Sequence, residues 1–314
     1  MINKLPQPHY MIHPGPLNPS RLDFMQLADV VTEDVMLQSH QSLHDAVIQA
    51  AAQLGGTCGT ASLEGGALSK TRFTTGGPPR DGKSANYTYI RDYGATELTM
   101  GTCAFGYAED APRFVHCHAK FSKNPHGSEM GGHFMAEDCM ISEPIFAKMN
   151  VFIGNGITKC ASGETHHAIF EIDEDQPSSE DDGFGREYFI RVHPNEDLPL
   201  ALEKFCAGQN IQNALVGSSL GSLNEPTISQ RGKVKKIASV GTEVLAFNGE
   251  IMTERDGNLR ASLLTNLVNE DGTEFVGYLV QGQCPVCITA EIYLLEVVDP
   301  GLLATMREVR NSSQ

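Results

Sequence analysis

The chain has 314 residues and a mass of 34.0 kDa, which at roughly 100–200 residues per domain excludes one small domain and favours two. Hydrophobic residues make up 40% of the chain and charged residues 20%, so the composition is that of a globular protein and excludes disordered and collagen-like chains. The formal net charge of −16 repels nucleic-acid phosphates and anionic membrane surfaces, so neither is expected as a default partner.

The start of the chain and its thiols predict a cytoplasmic protein. The first ten residues contain prolines where a signal peptide needs a continuous apolar segment, and no apolar stretch approaches the roughly 18–20 residues that span a bilayer. Eight cysteines are spread along the chain without such a signal, so reduced thiols are expected rather than a disulfide framework.

Near the middle, the segment 173–187 is rich in Asp, Glu, Ser, Pro and Gly and offers little to bury, which is typical of a linker. A similar order of elements on each side of it indicates an internal duplication. The predicted organisation is an N-terminal extension at 1–24, a first domain at 25–172, the acidic linker at 173–187, a second domain at 188–299 and a tail at 300–314.

One amphipathic helix is predicted on each side of the linker. Apolar residues recur at helical spacing over Leu43–Leu54, with Ser42 as the expected N-cap. The same spacing recurs over Leu198–Cys206, with Asn195 as the expected cap and Gly208 as the expected stop.

Most of the remaining chain is rich in β-forming residues. Strands are predicted at Tyr87–Ile90, Arg113–Phe121, Ile145–Ile153, Glu243–Phe247, Phe275–Val280 and Ile288–Val297. The predicted fold class is therefore α+β, with two tandem domains that each pack one main amphipathic helix on a mostly antiparallel β-sheet.

Three histidines form the most informative pattern. On a strand, residues i and i+2 point to the same side, so His116 and His118 present two imidazoles together. A following turn can return the chain antiparallel and add His133, and three neutral imidazoles plus a water suit Zn²⁺ in an open site of the catalytic type. An isolated His-X-His pair is as often a solvated or hydrogen-bonded pair, and the third histidine shifts the prediction towards a metal.

The equivalent positions of the second half differ in chemistry. Counting along the two halves aligns the three histidines with Ser262, Leu264 and Tyr278, none of which is a good zinc ligand. The second half is therefore expected to be metal-free and to act as a scaffold or an interface.

These segments carry a resemblance to a known family. His-X-His at 116–118, Gly-Gly-His-Phe-Met at 131–135 and Arg-Val-His-Pro-Asn-Glu-Asp-Leu at 191–198 resemble the plants-and-prokaryotes-conserved (PPC) domain, in two tandem copies. The resemblance implies a central antiparallel sheet, trimeric assembly of single domains and a metal held by the histidine triad. The fold is also similar to that of α-acetolactate decarboxylase and of a zinc-dependent ester hydrolase, which share a three-histidine metal arrangement. Plant members carry a DNA-binding AT-hook with the sequence Arg-Gly-Arg-Pro, which this chain lacks.

Two motifs compete with this interpretation. The segment 77–84 matches the P-loop expression, but a P-loop opens a helix, whereas the residues after this segment predict a strand, and two prolines remove amide donors. The alternative reading of the chain as a DNA-binding protein rests on one basic run, formed by Arg231, Lys233, Lys235 and Lys236. A solvated edge strand explains these lysines equally well.

The remaining histidines and a cysteine pair are predicted to have structural roles. Cys284 and Cys287 have redox-motif spacing outside a thioredoxin-like context, so packing thiols are expected. His166 and His167 are expected at the surface, and His126 in a turn.

Candidates for catalysis and substrate binding are fewer. Glu137 follows His133 by four residues and is the candidate general base for a metal-activated water, or it belongs to a solvated acidic turn. A substrate carboxylate has three candidate partners, Arg72, Arg80 and Arg113.

Two functions follow from these residues. The first is a zinc-dependent enzyme that forms homo-oligomers and acts on a small carboxylate-bearing molecule by hydrolysis or by decarboxylation or other lyase chemistry. The alternative is a DNA-binding or regulatory protein with a structural metal. A carboxylate beside the metal position in a concave pocket would favour the enzyme, and a fourth protein ligand would favour the structural site.

Overall fold

The computed structural model describes residues 10–109, 111–123, 129–173 and 185–299. The predicted turn histidine His126, most of the predicted linker and the C-terminal tail lie outside these residues. The elements before the linker are β1 (Leu22–Gln26), β2 (Val30–Leu37), α1 (Leu43–Gln53), β3 (Cys58–Glu64), β4 (Ala67–Thr74), β5 (Gly76–Gly77), β6 (Asn86–Tyr87), β7 (Arg91–Ala108), β8 (Phe114–Ser122), β9 (Glu129–Phe134), β10 (Met140–Glu143), β11 (Ile145–Phe152), β12 (Ile157–Ala161) and β13 (Ala168–Ile172).

The elements after the linker repeat this plan with fewer strands. They are β14 (Glu187–Val192), α2 (Leu198–Gly208), β15 (Asn213–Leu223), β16 (Thr227–Gln230), β17 (Lys233–Lys236), β18 (Thr242–Thr253), β19 (Leu259–Val268), β20 (Glu274–Leu279) and β21 (Val286–Glu296). The α+β prediction, with one helix against a mostly antiparallel sheet in each half, is confirmed.

Seven consecutive strands, from β4 to β2 in the first large sheet and from β16 to β14 in the second, have the same order. The first runs β10-β4-β9-β8-β7-β3-β11-β2, and the second runs β17-β16-β20-β19-β18-β15-β21-β14-β1. The register agrees as well, because His118 pairs with His133 across β8 and β9, as Leu264 pairs with Tyr278 across β19 and β20. This repetition places the three histidines and the aligned residues of the second half at matching points of two similar sheets.

One strand crosses the predicted domain boundary. Strand β1 pairs with β14 from Leu22 opposite Val192 to Gln26 opposite Tyr188, so it belongs to the sheet of the second half. The predicted boundary between residues 24 and 25 falls inside this strand. The start of the described chain is therefore part of the second sheet.

The helices begin where a side chain can cap them. The Ser42 hydroxyl accepts a hydrogen bond from the Asp45 amide at 3.0 Å, as expected for α1. The cap of α2 is Asp197, not Asn195, because the Asp197 carboxylate accepts from the Leu200 amide. Asn195 instead has a φ of 66° and pairs through its side-chain amide with the backbone of Met11.

The predicted strand at Tyr87–Ile90 is shorter than expected. Only Asn86 and Tyr87 form a strand, β6, which pairs with β5 as a small hairpin. Thr88 then donates its amide to the Thr75 carbonyl, and the chain turns into β7. The residues between β5 and β6 include the P-loop-like segment, and no helix follows it, as predicted.

The two halves share a buried interface. An apolar cluster contains Phe152 from the first half and Phe189, Leu220 and Tyr293 from the second, and Phe152 packs on Phe189 with ring centroids 5.8 Å apart. The hydroxyls of Ser62 and Ser218 also form a hydrogen bond of 2.9 Å across the interface. Burial of large apolar side chains on both sides fixes how the sheets meet, and this fixes which residues of the second half reach the histidines.

Candidate metal centre between the two halves

The structure brings His116, His118 and His133 together. The two side chains from β8 lie on one side of the strand, and His133 on β9 is the cross-strand partner of His118. The Nε2 atom of His118 lies 3.1 Å from Nε2 of His116 and 3.2 Å from Nδ1 of His133. One nitrogen from each ring falls within 4.8 Å of the others, so all three can bind a single ion.

The outer ring nitrogens show which nitrogens face the centre. His118 donates through Nδ1 to the carbonyl oxygen of Val244 at 2.8 Å, because a carbonyl can only accept. The Nδ1 atom of His116 lies 2.9 Å from Oε2 of Glu291, and a carboxylate there accepts its proton in the same way. Both Nε2 atoms then point lone pairs at one another at 3.1 Å, a repulsive arrangement that a bound cation turns into an attractive one.

The spacing also fits zinc. In a tetrahedral site with Zn–N distances of about 2.0–2.1 Å, two ligand nitrogens lie about 3.3 Å apart. The observed 3.1 and 3.2 Å are close to this value. Burial lowers the pKa of His118 and of His133 well below the usual range of histidine, with a further lowering by the neighbouring His116, so both are neutral and offer a lone pair to a metal.

A buried carboxyl group from the second half lies beside the triad. Oε2 of Glu243, on β18, is 3.4 Å from Nε2 of His118, and the residue is only 3% exposed. Burial raises the pKa of Glu243 to about 8, although the Gly76 amide donates to the carboxyl group and opposes this shift. Because burial favours the uncharged form of both Glu243 and His118, this 3.4 Å contact is not an ion pair.

The triad and Glu243 line one cavity of about 710 Å³. Its walls include residues of both halves, among them Ser222 and Thr289 from the second, and the β5–β6 hairpin forms another side. Three cationic side chains also line it, those of Arg80, Lys83 and Lys159. A concave pocket with converging polar groups and perturbed pKa values is a typical ligand-binding or catalytic site.

The hairpin adds one hydroxyl to the centre. The Tyr87 hydroxyl lies 3.4 Å from Nδ1 of His133, although 38% of the residue is exposed at the cavity side. Burial raises the pKa of Tyr87, and the nearby Glu243 and Glu291 raise it further, so the group is protonated and can donate a hydrogen bond.

Glu137, the carboxylate predicted from its proximity to His133 in the sequence, does not line the large cavity. Glu137 is exposed on the turn after β9 and lines, together with His133, a separate cavity of about 300 Å³. Its neighbour Asp138 binds the Arg72 guanidinium at 2.7 Å. The acidic residues in contact with the triad are instead Glu243 and Glu291.

Of the three predicted arginines, Arg80 alone lines the large cavity. Arg72 forms ion pairs with Asp138 and Asp92, and Arg113 lies over the Tyr107 ring at 4.4 Å. Arg72 therefore holds β4 to its neighbours, and Arg113 packs at the end of β7.

His166 and His167 have different environments. His166 is exposed as predicted, but His167 is buried, lines the cavity and donates through Nε2 to the Ala85 carbonyl at 2.9 Å. The surface prediction for His167 is wrong because the following strand, β13, packs its side chain against the hairpin. Cys284 and Cys287 are free and buried, as expected for packing thiols.

The basic run at 231–236 lies at the edge of the second sheet. Strand β17, at the sheet edge, carries Lys233, Lys235 and Lys236 in exposed positions, shortly after Arg231. Lys236 is already paired with Glu225 at 2.6 Å. Lysines on an edge strand discourage pairing with another chain, which is a sufficient role for this segment.

Sequence reasoning missed Glu243, Glu291 and Tyr87. Both glutamates lie in strands whose other residues are mostly apolar, and an acidic residue in a buried strand is rare unless it has a partner. This was the available signal, but no feature of the sequence pairs either glutamate with a histidine more than 100 positions earlier.

Comparison with known proteins identifies the second half. Residues 179–298 match the sequence model of the Plants and Prokaryotes Conserved (PCC) domain, which is also written PPC. The chain contains a PPC domain. The PPC domain match covers the half without the histidine triad and includes both glutamates of the site.

One curated relative aligns with part of the chain. Over 115 residues the chain is 30% identical to the bifunctional protein GlmU of Synechococcus sp. (strain JA-3-3Ab). The alignment covers 36% of the chain and 18% of that protein, so the chain spans less than a fifth of the length of this relative.

Three solved structures are similar to parts of the chain. A plant- and prokaryote-conserved protein of Pyrococcus horikoshii is 30% identical, with 36% of this chain and 79% of that chain covered and a TM-score of 0.32. A metal-containing protein of Archaeoglobus fulgidus is 12% identical, with 48% and 97% covered and a TM-score of 0.36. A protein of Ralstonia eutropha JMP134, named as a proposed DNA-binding protein, is 14% identical, with 48% and 90% covered and a TM-score of 0.34.

Among the described residues, neither helix is long or apolar enough to cross a membrane, since α1 and α2 have 11 residues each.

Proposed function

We propose that this chain is a metal-dependent enzyme whose active site lies between two PPC-like halves, with zinc held by His116, His118 and His133. The observation that carries the proposal is the Glu243 carboxyl group, which is buried in the cavity wall 3.4 Å from the metal-facing nitrogen of His118. In the described part of the chain, the group of side chains able to share one ion contains the three histidines alone. This donor set leaves a coordination position open, as catalytic zinc sites do.

The metal would supply Lewis-acid chemistry, by polarising a substrate oxygen or by lowering the pKa of a bound water to about 7. Glu243 donates and then takes back a proton at its Oε2 atom, which lies beside Nε2 of His118. The Tyr87 hydroxyl, 3.4 Å from Nδ1 of His133, donates a hydrogen bond within the same cavity.

Positively charged side chains in the cavity wall favour a small anionic substrate. Arg80, Lys83 and Lys159 line the same cavity as the triad and offer positive charge to a substrate carboxylate, although Arg80 is paired with Asp81 at 3.3 Å. Zinc with an acid–base carboxyl group serves ester or lactone hydrolysis and the decarboxylation of β-keto acids equally well. The proposed activity is therefore hydrolysis, or decarboxylation or other lyase chemistry, on a carboxylate-bearing metabolite.

A turnover screen tests the proposal directly. We expect zinc-loaded protein to convert at least one member of a panel of carboxylate-bearing esters, lactones and β-keto acids. A chelator should abolish this turnover and added zinc should restore it, because the three histidines supply the metal-binding atoms. If metal-loaded protein converts none of these classes, or if chelation leaves the rate unchanged, the proposed activity is wrong.

The second candidate function is DNA binding through Arg231, Lys233, Lys235 and Lys236. The exposed lysines of β17 favour it, while the pairing of Lys236 with Glu225 and the net charge of −16 oppose it. We expect at most weak binding of a DNA duplex at low salt and none at about 0.15 M salt, where phosphate contacts by so few cations are screened. Duplex binding that persists at that salt concentration and disappears when the four residues are replaced by glutamine would support this candidate.

A further inference from the structure

Glu291 is a buried acidic residue on a strand of the second half. It lies on β21 between Ala290 and Ile292, and all three residues are 0% exposed. Removing a carboxyl group from water is unfavourable unless it gains a specific partner. One of its oxygens, Oε1, has no hydrogen-bond partner among the described residues.

The partner of the other oxygen is a metal-facing histidine of the other half. Oε2 of Glu291 lies 2.9 Å from Nδ1 of His116, and the Nε2 atom of that ring faces His118 at 3.1 Å. The outer nitrogen of His118 meets only a neutral acceptor, the Val244 carbonyl. Of His116 and His118, therefore, only His116 has an acidic partner at its Nδ1 atom.

We infer that Glu291 is a positioning residue that holds the His116 ring with Nε2 towards the metal, so that the second half sets the metal affinity of the first. This inference rests on the proposed function, because it requires that the triad binds a metal. An imidazole has two nitrogens, and the hydrogen bond made by one decides which proton form and which orientation the other presents. A carboxylate acceptor also increases the electron density of the ring and strengthens its bond to a cation.

This inference assigns a role to the half that lacks the triad. Its strand β18 provides the Val244 carbonyl for His118, and its strand β21 provides Glu291 for His116. The second half is then a supporting shell for the single metal centre, in addition to its role in packing. The apolar interface described above holds β21 against β8, because Tyr293 and Phe114 pack in the same cluster.

The test measures zinc affinity in the full chain by competition with a chromophoric chelator. Replacement of Glu291 by alanine removes the acceptor and is expected to weaken zinc binding by about 10–100-fold, the usual effect of losing such a partner. Glu291→Gln keeps an oxygen that can accept from Nδ1 but removes the charge, so a smaller loss is expected. The matched control is Glu296→Gln on the same strand, whose carboxylate binds Arg186 and not a histidine, and its zinc affinity should equal that of the unaltered chain.

A second readout separates positioning from loss of folding. Cobalt(II) bound in place of zinc has an absorption spectrum that depends on the number and arrangement of its ligands, and Glu291→Ala should change it while the far-ultraviolet circular dichroism stays the same. If Glu291→Ala and Glu291→Gln bind zinc as tightly as the unaltered chain, the inference is wrong and the metal site stands. If the unaltered chain itself binds no zinc, both the inference and the proposed function are wrong.

Discussion

Replacing His116 and His118 together by alanine is expected to abolish zinc binding. Purified protein should carry about one zinc ion per chain, and the His116→Ala/His118→Ala variant should carry none, because one remaining imidazole cannot hold the ion tightly. The expected effect is large, since the two residues supply two of the three nitrogens that converge within 4.8 Å. Elemental analysis after purification without chelators measures it.

A control pair shows whether the loss is specific. His40 and His166 are both exposed and both have positive φ, which asparagine tolerates better than alanine, so His40→Asn/His166→Asn removes two histidines without strain. This variant should retain one zinc ion per chain. Zinc retained by the His116→Ala/His118→Ala variant, or lost equally from both, would show that the triad is not the binding site.

The triad was predictable because its geometry is local. Alternation along a strand places His116 and His118 on one side, and a short antiparallel return brings His133 opposite His118. Both helices were predictable for the same reason, as their apolar spacing spans a single continuous segment. The equivalence of Leu264 and Tyr278 with two of the histidines also followed from counting, because each pair lies at cross-strand positions of neighbouring strands.

Other local features were harder to predict. Strand β7 has 18 residues but contains three glycines and a register shift near Leu98, so its pattern resembles a series of turns more than one long strand. The position of β1 in the second sheet requires pairing between Leu22 and Val192, which are 170 positions apart. Pairing at that distance depends on how the halves pack, and no local pattern specifies it.

The acidic residues of the site were also hard to predict, because they come from distant parts of the chain. Glu137 was the candidate because it lies four positions from His133, but the turn after β9 leaves it exposed. Glu243 and Glu291 lie more than 100 positions from any of the three histidines, and the contact between the halves brings them together. Proximity in sequence grouped the three histidines, which lie on two neighbouring strands, but it could not indicate the buried glutamates that contact them.

The Glu243→Gln variant is expected to keep its zinc and to lose most of its turnover. Glutamine has nearly the same shape as a protonated glutamic acid, so the cavity wall and the contact with His118 should be preserved. It cannot take up or release a proton, however, and the loss of a positioned acid–base group typically lowers a rate by about 10²–10⁴-fold. Elemental analysis and the rate of conversion of a substrate found in the screen measure the two quantities separately.

Glu137→Gln is the matched comparison, because it makes the same chemical change at the carboxylate that sequence proximity favoured. Exposed on its turn and outside the large cavity, Glu137 should tolerate the change with a rate near that of the unaltered chain. The opposite result, a loss of turnover in Glu137→Gln with full activity in Glu243→Gln, would place the proton-transferring group in the first half. Glu243 would then have no part in the reaction. The second half would serve the site only by packing and by positioning the histidines of the first half.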